Sequence, residues 1–153
     1  YEEGMLIVKE MADVLCQELT EKRLVTDSIT LHVGYSRSYG KKSAHGTIGL
    51  PAATDLACRI MECAVTLYWR IVDDRTPIRR VSLTYNHVEP EMYCQYDIFS
   101  SPDRIEKERK LQQAVLDIKH RFGKNAVLRG MDLEDGATTM ERNHQIGGHR
   151  SGA

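Results

Sequence analysis

No stretch of the 153 residues approaches the roughly 18 consecutive apolar residues of a membrane-spanning helix, and no signal-peptide pattern is visible. The four cysteines, Cys16, Cys58, Cys63 and Cys94, contain no C-x-x-C pair. That spacing argues against a zinc ribbon or a dithiol redox centre and reads as free thiols in a reducing cytosol. Net charge is −1, so no bulk field drives the chain onto nucleic acid or membrane. No Gly-rich phosphate loop precedes a helix, and the six histidines show no metal-ligand spacing. There are only two Phe and one Trp. No RNP1-like run of an RNA-recognition sheet is present.

The charges that are present are unevenly placed. Residues 1–27 carry seven acids (Glu2, Glu3, Glu10, Asp13, Glu18, Glu21, Asp27) against Lys9, Lys22 and Arg23, a net of −4. Residues 28–54 hold no acid, only Arg37, Lys41 and Lys42, a net of +3. Such asymmetry marks one anion-facing surface. At 41% apolar and 28% charged, the composition is that of one ordinary globular domain. Opening on Tyr1 rather than Met, the chain reads as a fragment.

Periodicity gives the element order. Met5, Val8, Ala12, Leu15 and Leu19 recur at helical spacing and predict a helix over 3–22. In residues 28–36, Ile29, Leu31, Val33 and Tyr35 alternate with Thr30, His32, Gly34 and Ser36, a half-buried strand. A basic loop, with Gly40 and Gly46 read as its turn glycines, joins it to a short strand, TIGLP, in a hairpin. Thr54 and Asp55 suit the start of a second helix over 55–72, striped by Leu56, Ile60, Cys63, Leu67 and Ile71. Residues 78–88 form another strand, with Val81, Leu83 and Tyr85 on one side. Ser101, Pro102 and Gly123 bracket a helix over 102–122, lined by Ile105, Leu111, Val115, Ile118 and Phe122. NAVLRGM reads as a short strand and the remainder as an extended tail, ordered only where something holds it.

Helices on one face of an antiparallel sheet leave the other face open. Here that open face carries His32, Gly34, Ser36, Thr47, Arg80, Ser82 and Thr84, which are polar, small and basic. Arg79, Arg80, Ser82, Ser36, Arg37, Lys41 and Lys42 form a candidate phosphate grip, since guanidinium groups bind phosphate bidentately and hydroxyls add sequence-independent contacts. Strict alternation turns Arg79 toward the core with Val81, so a bulge or an edge position must free it. Asp73-Asp74 is an adjacent acidic pair placed in a helix-to-strand turn. Asp132, Glu134 and Asp135 read as a solvated loop. QYDIF, residues 95–99, packs two aromatics and an isoleucine into a connector. It reads either as an edge strand or core plug, or as a docking peptide.

ITLHVGYS, the basic loop, TIGLPAATD, the following helix and IRRVSLTYN together resemble the little-finger domain of Y-family translesion DNA polymerases. QYDIF, the helix ending RFG and the tail ERNHQIGGHRSGA resemble the C-terminal extension of UmuC-like members from Gram-positive bacteria. The resemblance implies an α+β fold, a ferredoxin-like two-layer sandwich of order βαββαβ. It also implies that the first strand is missing from this chain, leaving three strands with an uncapped edge open to self-association. Residues 1–90 would be the DNA-binding little finger and 91–153 the extension. Ser36, Arg37, Lys41, Lys42, Thr47, Arg79, Arg80 and Ser82 would hold primer-template DNA. Gln95, Tyr96, Asp97, Ile98 and Phe99 match a pentapeptide that docks on the replicative sliding clamp, with Tyr96 in place of the usual Leu. No cofactor is expected in this fragment, the magnesium of the parent enzyme belonging to an absent palm domain. The expected setting is cytoplasmic and nucleoid-associated, with no membrane partner. The competing class is a ferredoxin-like regulatory or oligomerisation module that does not bind DNA.

Overall fold

The computed structural model describes residues 1–91, 101–146 and 149–150. Helix α1 (Glu2–Lys22) leads into β1 (Leu24–Tyr35), β2 (Ala44–Thr54), α2 (Ala57–Ile71) and β3 (Ile78–Asn86). A two-residue β4 (Glu89–Pro90), the long α3 (Pro102–Phe122), a one-turn α4 (Thr139–Arg142) and a minimal hairpin of β5 (Gln145–Ile146) and β6 (His149–Arg150) complete the order.

The main sheet is antiparallel and four-stranded, in the order β2-β1-β3 with β4 also on β1. β4 continues the register of β3: Ser28 faces Asn86, and further on Leu24 faces Pro90. His87, at φ 48, makes the break between the two. α1 and α2 cover one face, which gives the expected two-layer α+β sandwich with a C-terminal helix.

Alternation in β1 explains why this face is the core. Ile29, Leu31 and Val33 are fully buried against the helices, opposite Ile48, Gly46 and Ala44 of β2 and Tyr85, Leu83 and Val81 of β3. Side chains of this size stabilise by about 1.5–3 kcal/mol each when fully buried. Gly46 is therefore an inward strand position, not a loop glycine. A Cβ there would lie 3.2 Å from Leu67 and 3.1 Å from Ile71, so its missing side chain lets α2 settle on the sheet. Tyr85 Oη donates to the Ala12 carbonyl at 2.9 Å, and Tyr68 Oη to that of Tyr1 at 2.7 Å, so the buried phenols are satisfied.

Three local expectations are corrected. α2 starts at Ala57: Thr54 Oγ1 accepts from the Leu56 N–H, while Asp55 is buried and bonds Thr20 and Arg109. NAVLRGM is not a strand but turns leading into a 3-10 segment, Gly130–Leu133. Asp132 is not solvated; it is buried and accepts from the Arg129 N–H at 2.8 Å.

The tail is held. Glu10, fully buried on α1, accepts from the N–H groups of Thr138 and Thr139 (2.7 and 2.9 Å) and from Thr138 Oγ1 (2.7 Å). Asp13, three residues on, pairs with Arg129. A buried carboxylate is tolerable only when its oxygens are filled in this way. α3 is attached mainly by polar contacts. Gln112 accepts from the Ala57 N–H (2.8 Å) and donates to Thr20 Oγ1 and the Asp55 carbonyl (3.0 and 3.1 Å). Arg109 bridges Asp55 and Glu91. Only Ile105 and Leu116 of α3 are buried.

Candidate nucleic-acid interface

The face of the sheet away from the helices is built by strand register. His45, His32 and Ser82 lie side by side across β2, β1 and β3. Thr47, Thr30 and Thr84 form the next row, and Gly49, Ser28 and Asn86 the one after. Thr30 and Thr47 share a hydroxyl hydrogen bond of 2.7 Å, and Asn86 Nδ2 donates to Thr30 Oγ1 at 2.9 Å. The surface is thus flat, hydroxyl-rich and free of large aromatics. His45 escaped the sequence reading because β2 begins at Ala44, three residues before TIGLP; extending the alternation backward places it opposite His32.

Gly34 faces Arg80, but the next residue of β1, Tyr35, faces Ile78. Arg79 is the extra residue of a β-bulge, and both arginines are exposed. A bulge bends the strand and re-aims side chains, which is how a residue assigned by alternation to the core stays in solvent.

The β1–β2 loop forms a 3-10 turn, Arg37–Tyr39, closed by Gly40 in the left-handed region at φ 59. Arg37 and Lys42 are exposed. Lys41 differs from them. Its ammonium pairs with Asp73 and sits 5.4 Å from the centroid of the Tyr35 ring. Lys41, with help from Thr76, holds the Asp73 carboxyl down at about 2. Asp73 also accepts from the Arg75 N–H at 3.4 Å. Its oxygens therefore fasten the α2–β3 turn and the hairpin loop together. Among the described residues, no carboxylate lies within ion-pair distance of Arg37, Lys42, Arg79 or Arg80, and no group of three or more His, Cys, Asp or Glu could hold a metal ion. The buried Cys16 thiol is pushed up to about 12 by burial, which leaves it a packing group.

Residues 95–99 lie outside the described residues. On either side of residues 92–100, Glu91 N–H donates to the Arg23 carbonyl at 3.1 Å and α3 begins at Pro102.

A model of the impB/mucB/samB family C-terminal domain matches residues 1–98, which include the whole main sheet, α1 and α2. This chain belongs to that family. Two curated relatives extend the likeness through α3 and the tail. One, named as a UV-damage repair protein, UvrX, of Bacillus subtilis, is 25% identical over 150 residues, 98% of this chain and 35% of its own length. The other, DNA polymerase IV 2 of Halalkalibacterium halodurans, is 24% identical over 144 residues, 94% of this chain and 34% of its own. The chain thus spans about a third of the length of these relatives. No solved structure matches. The resemblance to the C-terminal region of Y-family polymerases, read from ITLHVGYS, IRRVSLTYN and QYDIF, agrees with the family match. In this impB/mucB/samB domain no described helix is long and apolar enough to cross a membrane.

Proposed function

We propose that this chain is the DNA-gripping and clamp-tethering part of a translesion DNA repair polymerase, working in the cytoplasm at the nucleoid. The observation that carries the reading is the bulge at Arg79, which keeps Arg79 and Arg80 together in solvent at the edge of a hydroxyl-rich sheet face. Ser82, two residues from Arg80, and Ser36, next to Arg37, add hydroxyls beside the cations; Thr47 continues the hydroxyl row onto β2, and Arg37 and Lys42 extend the charge onto the loop. Contacts of this type position a duplex without reading its sequence, which suits an enzyme whose template is damaged. In this reading the polymerase chemistry and its magnesium ions belong to a palm domain elsewhere in the parent protein.

The test is fluorescence anisotropy with primer-template duplex over a range of salt. About three to four neutralised phosphates give a slope of log affinity against log salt near −3. A salt-independent affinity, or none, overturns it. Gln95, Tyr96, Asp97, Ile98 and Phe99 form the proposed clamp hook, Ile98 and Phe99 supplying the apolar anchors. Titration with purified sliding clamp should lose binding in Ile98→Ala/Phe99→Ala; undiminished binding removes this half of the proposal.

An oligomerisation reading has one observation in its favour. β3 has no strand on its outer side among the described residues, and a groove of about 780 Å³ runs there between Ile7 and Met11 of α1, Arg79 and Val81 of β3, and Arg142 of α4. An open edge invites pairing with a second copy. Sedimentation velocity that finds only monomer at high micromolar concentration rejects it.

A further inference from the structure

α3 docks on the domain through one side, and that side is fully engaged: Ile105 and Leu116 are buried, and Arg109, Gln112, Lys119 and His120 all bond residues of the domain. The stripe about a third of a turn round the helix, starting at Leu111 beside the cleft that it lines with Val127 and Leu128, is not polar. Leu111, Ile118 and Phe122 are 65%, 40% and 69% exposed. Their spacing of seven and four residues stacks them in one stripe over three turns. Exposed cations accompany the stripe and outnumber the exposed Asp103 and Asp117: Lys107 and Arg104 one and two turns before Leu111, and Arg121 beside Phe122, its guanidinium 5.3 Å from the ring centroid.

We infer that this face of α3 is a docking site for an acidic amphipathic segment of another protein, one presenting apolar side chains at helical spacing with Asp or Glu at their flanks. The charge is what selects the occupant. A second copy would set Arg104, Lys107 and Arg121 against a face on which the same three cations outnumber Asp103 and Asp117, and an excess of like charge in an interface is costly. A phosphate backbone would satisfy the cations but leave Leu111, Ile118 and Phe122 without apolar counterparts, and burial of that apolar area is the main gain available. An acidic amphipathic helix satisfies both sets at once, the helix-against-apolar-stripe mode read as anchors at i, i+4 and i+7.

The probe is a fluorescein-labelled 20-residue peptide with Leu at i, i+4, i+7 and i+11 and Glu at the flanking positions, titrated into the whole 153-residue chain. Controls are a scrambled peptide of the same composition and a version with Lys for Glu. The inference expects saturable binding of the acidic amphipathic peptide, with both controls weaker by about tenfold or more. Ile118→Ser and Phe122→Ser, at solvent-facing positions that leave the helical circular dichroism unchanged, should each weaken it about tenfold. Arg121→Glu should weaken the acidic peptide and strengthen the Lys version. The inference is overturned by any of these results: no binding; equal binding of the scrambled peptide; indifference to the three variants; a dimer that Phe122→Ser dissolves, which assigns the face to a second copy; or loss of duplex binding in Phe122→Ser, which assigns it to nucleic acid. Protection of the stripe in the free chain that vanishes when residues 92–100 are replaced by a Gly/Ser linker assigns it to the chain itself and overturns it equally.

Discussion

Gly34 lies directly opposite Arg80 across β1 and β3, and a Cβ built on Gly34 would stand 3.5 Å from the Cβ of Arg80. The pair sits at the last regular step of the sheet. One residue further the register slips, and Arg79 is pushed out as the bulge. The most strongly basic point of the face thus coincides with the break in β1–β3 register.

On the proposed role, Arg79→Ala and Arg80→Ala should each flatten the salt slope of duplex binding by about 0.9, one phosphate contact apiece. Lys41→Ala should change it by much less, because the Lys41 charge is already paired with Asp73. Equal effects of all three substitutions, measured by anisotropy at four salt concentrations, would mean that simple net charge rather than this geometry governs binding.

The Asp73–Lys41 pair has its own consequence. The Asp73 carboxyl is held at about 2, below its ordinary value, first by Lys41 and then by Thr76. A lowered folded-state value means the contribution to stability is present above the ordinary carboxylate range and is lost as pH falls through about 2. The turn should therefore keep its contact at pH 4, and an NMR titration of the Asp73 carboxyl should show its midpoint near 2. Asp73→Asn frees Lys41 and should raise duplex affinity at low salt, steepening the salt slope. A midpoint near the ordinary aspartate value excludes the pairing.

Of the two α1 carboxylates that hold the tail, Glu10 carries more of its bonds. Glu10→Ala leaves the Thr138 and Thr139 N–H groups without their acceptor, and buried groups left unsatisfied cost about 1–3 kcal/mol. Limited proteolysis should then cut within residues 124–145, while α1 and the sheet keep their protection. Glu10→Gln, which retains one acceptor oxygen, should be intermediate. An uncut tail in Glu10→Ala would show that Arg129 and Asp13 suffice to hold it.

Those residues also show where sequence reading stops. Alternation placed Leu31, Val33, Arg80 and Ser82 on their proper faces because it is a local property of the strand. The position of α3 was equally legible, from Pro102 to Gly123. Nothing in the sequence marks Glu10 and Asp13 as buried, since their partners Thr138 and Arg129 stand 128 and 116 residues away and no local period announces them. α3 shows the converse failure. Its apolar residues suggested a core-facing stripe, but the helix docks through Gln112, Arg109 and Leu116, rotated so that Leu111 and Phe122 face out. The polar docking residues outnumber the apolar ones, and periodicity weighs only the latter.

Glycine offers a direct check on the packing of α1. A Cβ on Gly4 would lie 2.5 Å from Tyr68 Oη and 2.7 Å from Ile78 Cδ1. Helix propensity alone favours Ala over Gly by about 1 kcal/mol. Overpacking costs about 1–3 kcal/mol, and here it also displaces the phenol that donates to the Tyr1 carbonyl. The second effect should win, so Gly4→Ala is expected to destabilise by about 1 kcal/mol net in urea denaturation. Gly49→Ala, with nothing within 4 Å, should lie within about 0.5 kcal/mol of the parent. A stabilised Gly4→Ala would mean that α1 can lift from Tyr68 at little cost. The groove beside β3, which Gly4 helps to line, would then be wider in solution than the contact with Ile78 implies.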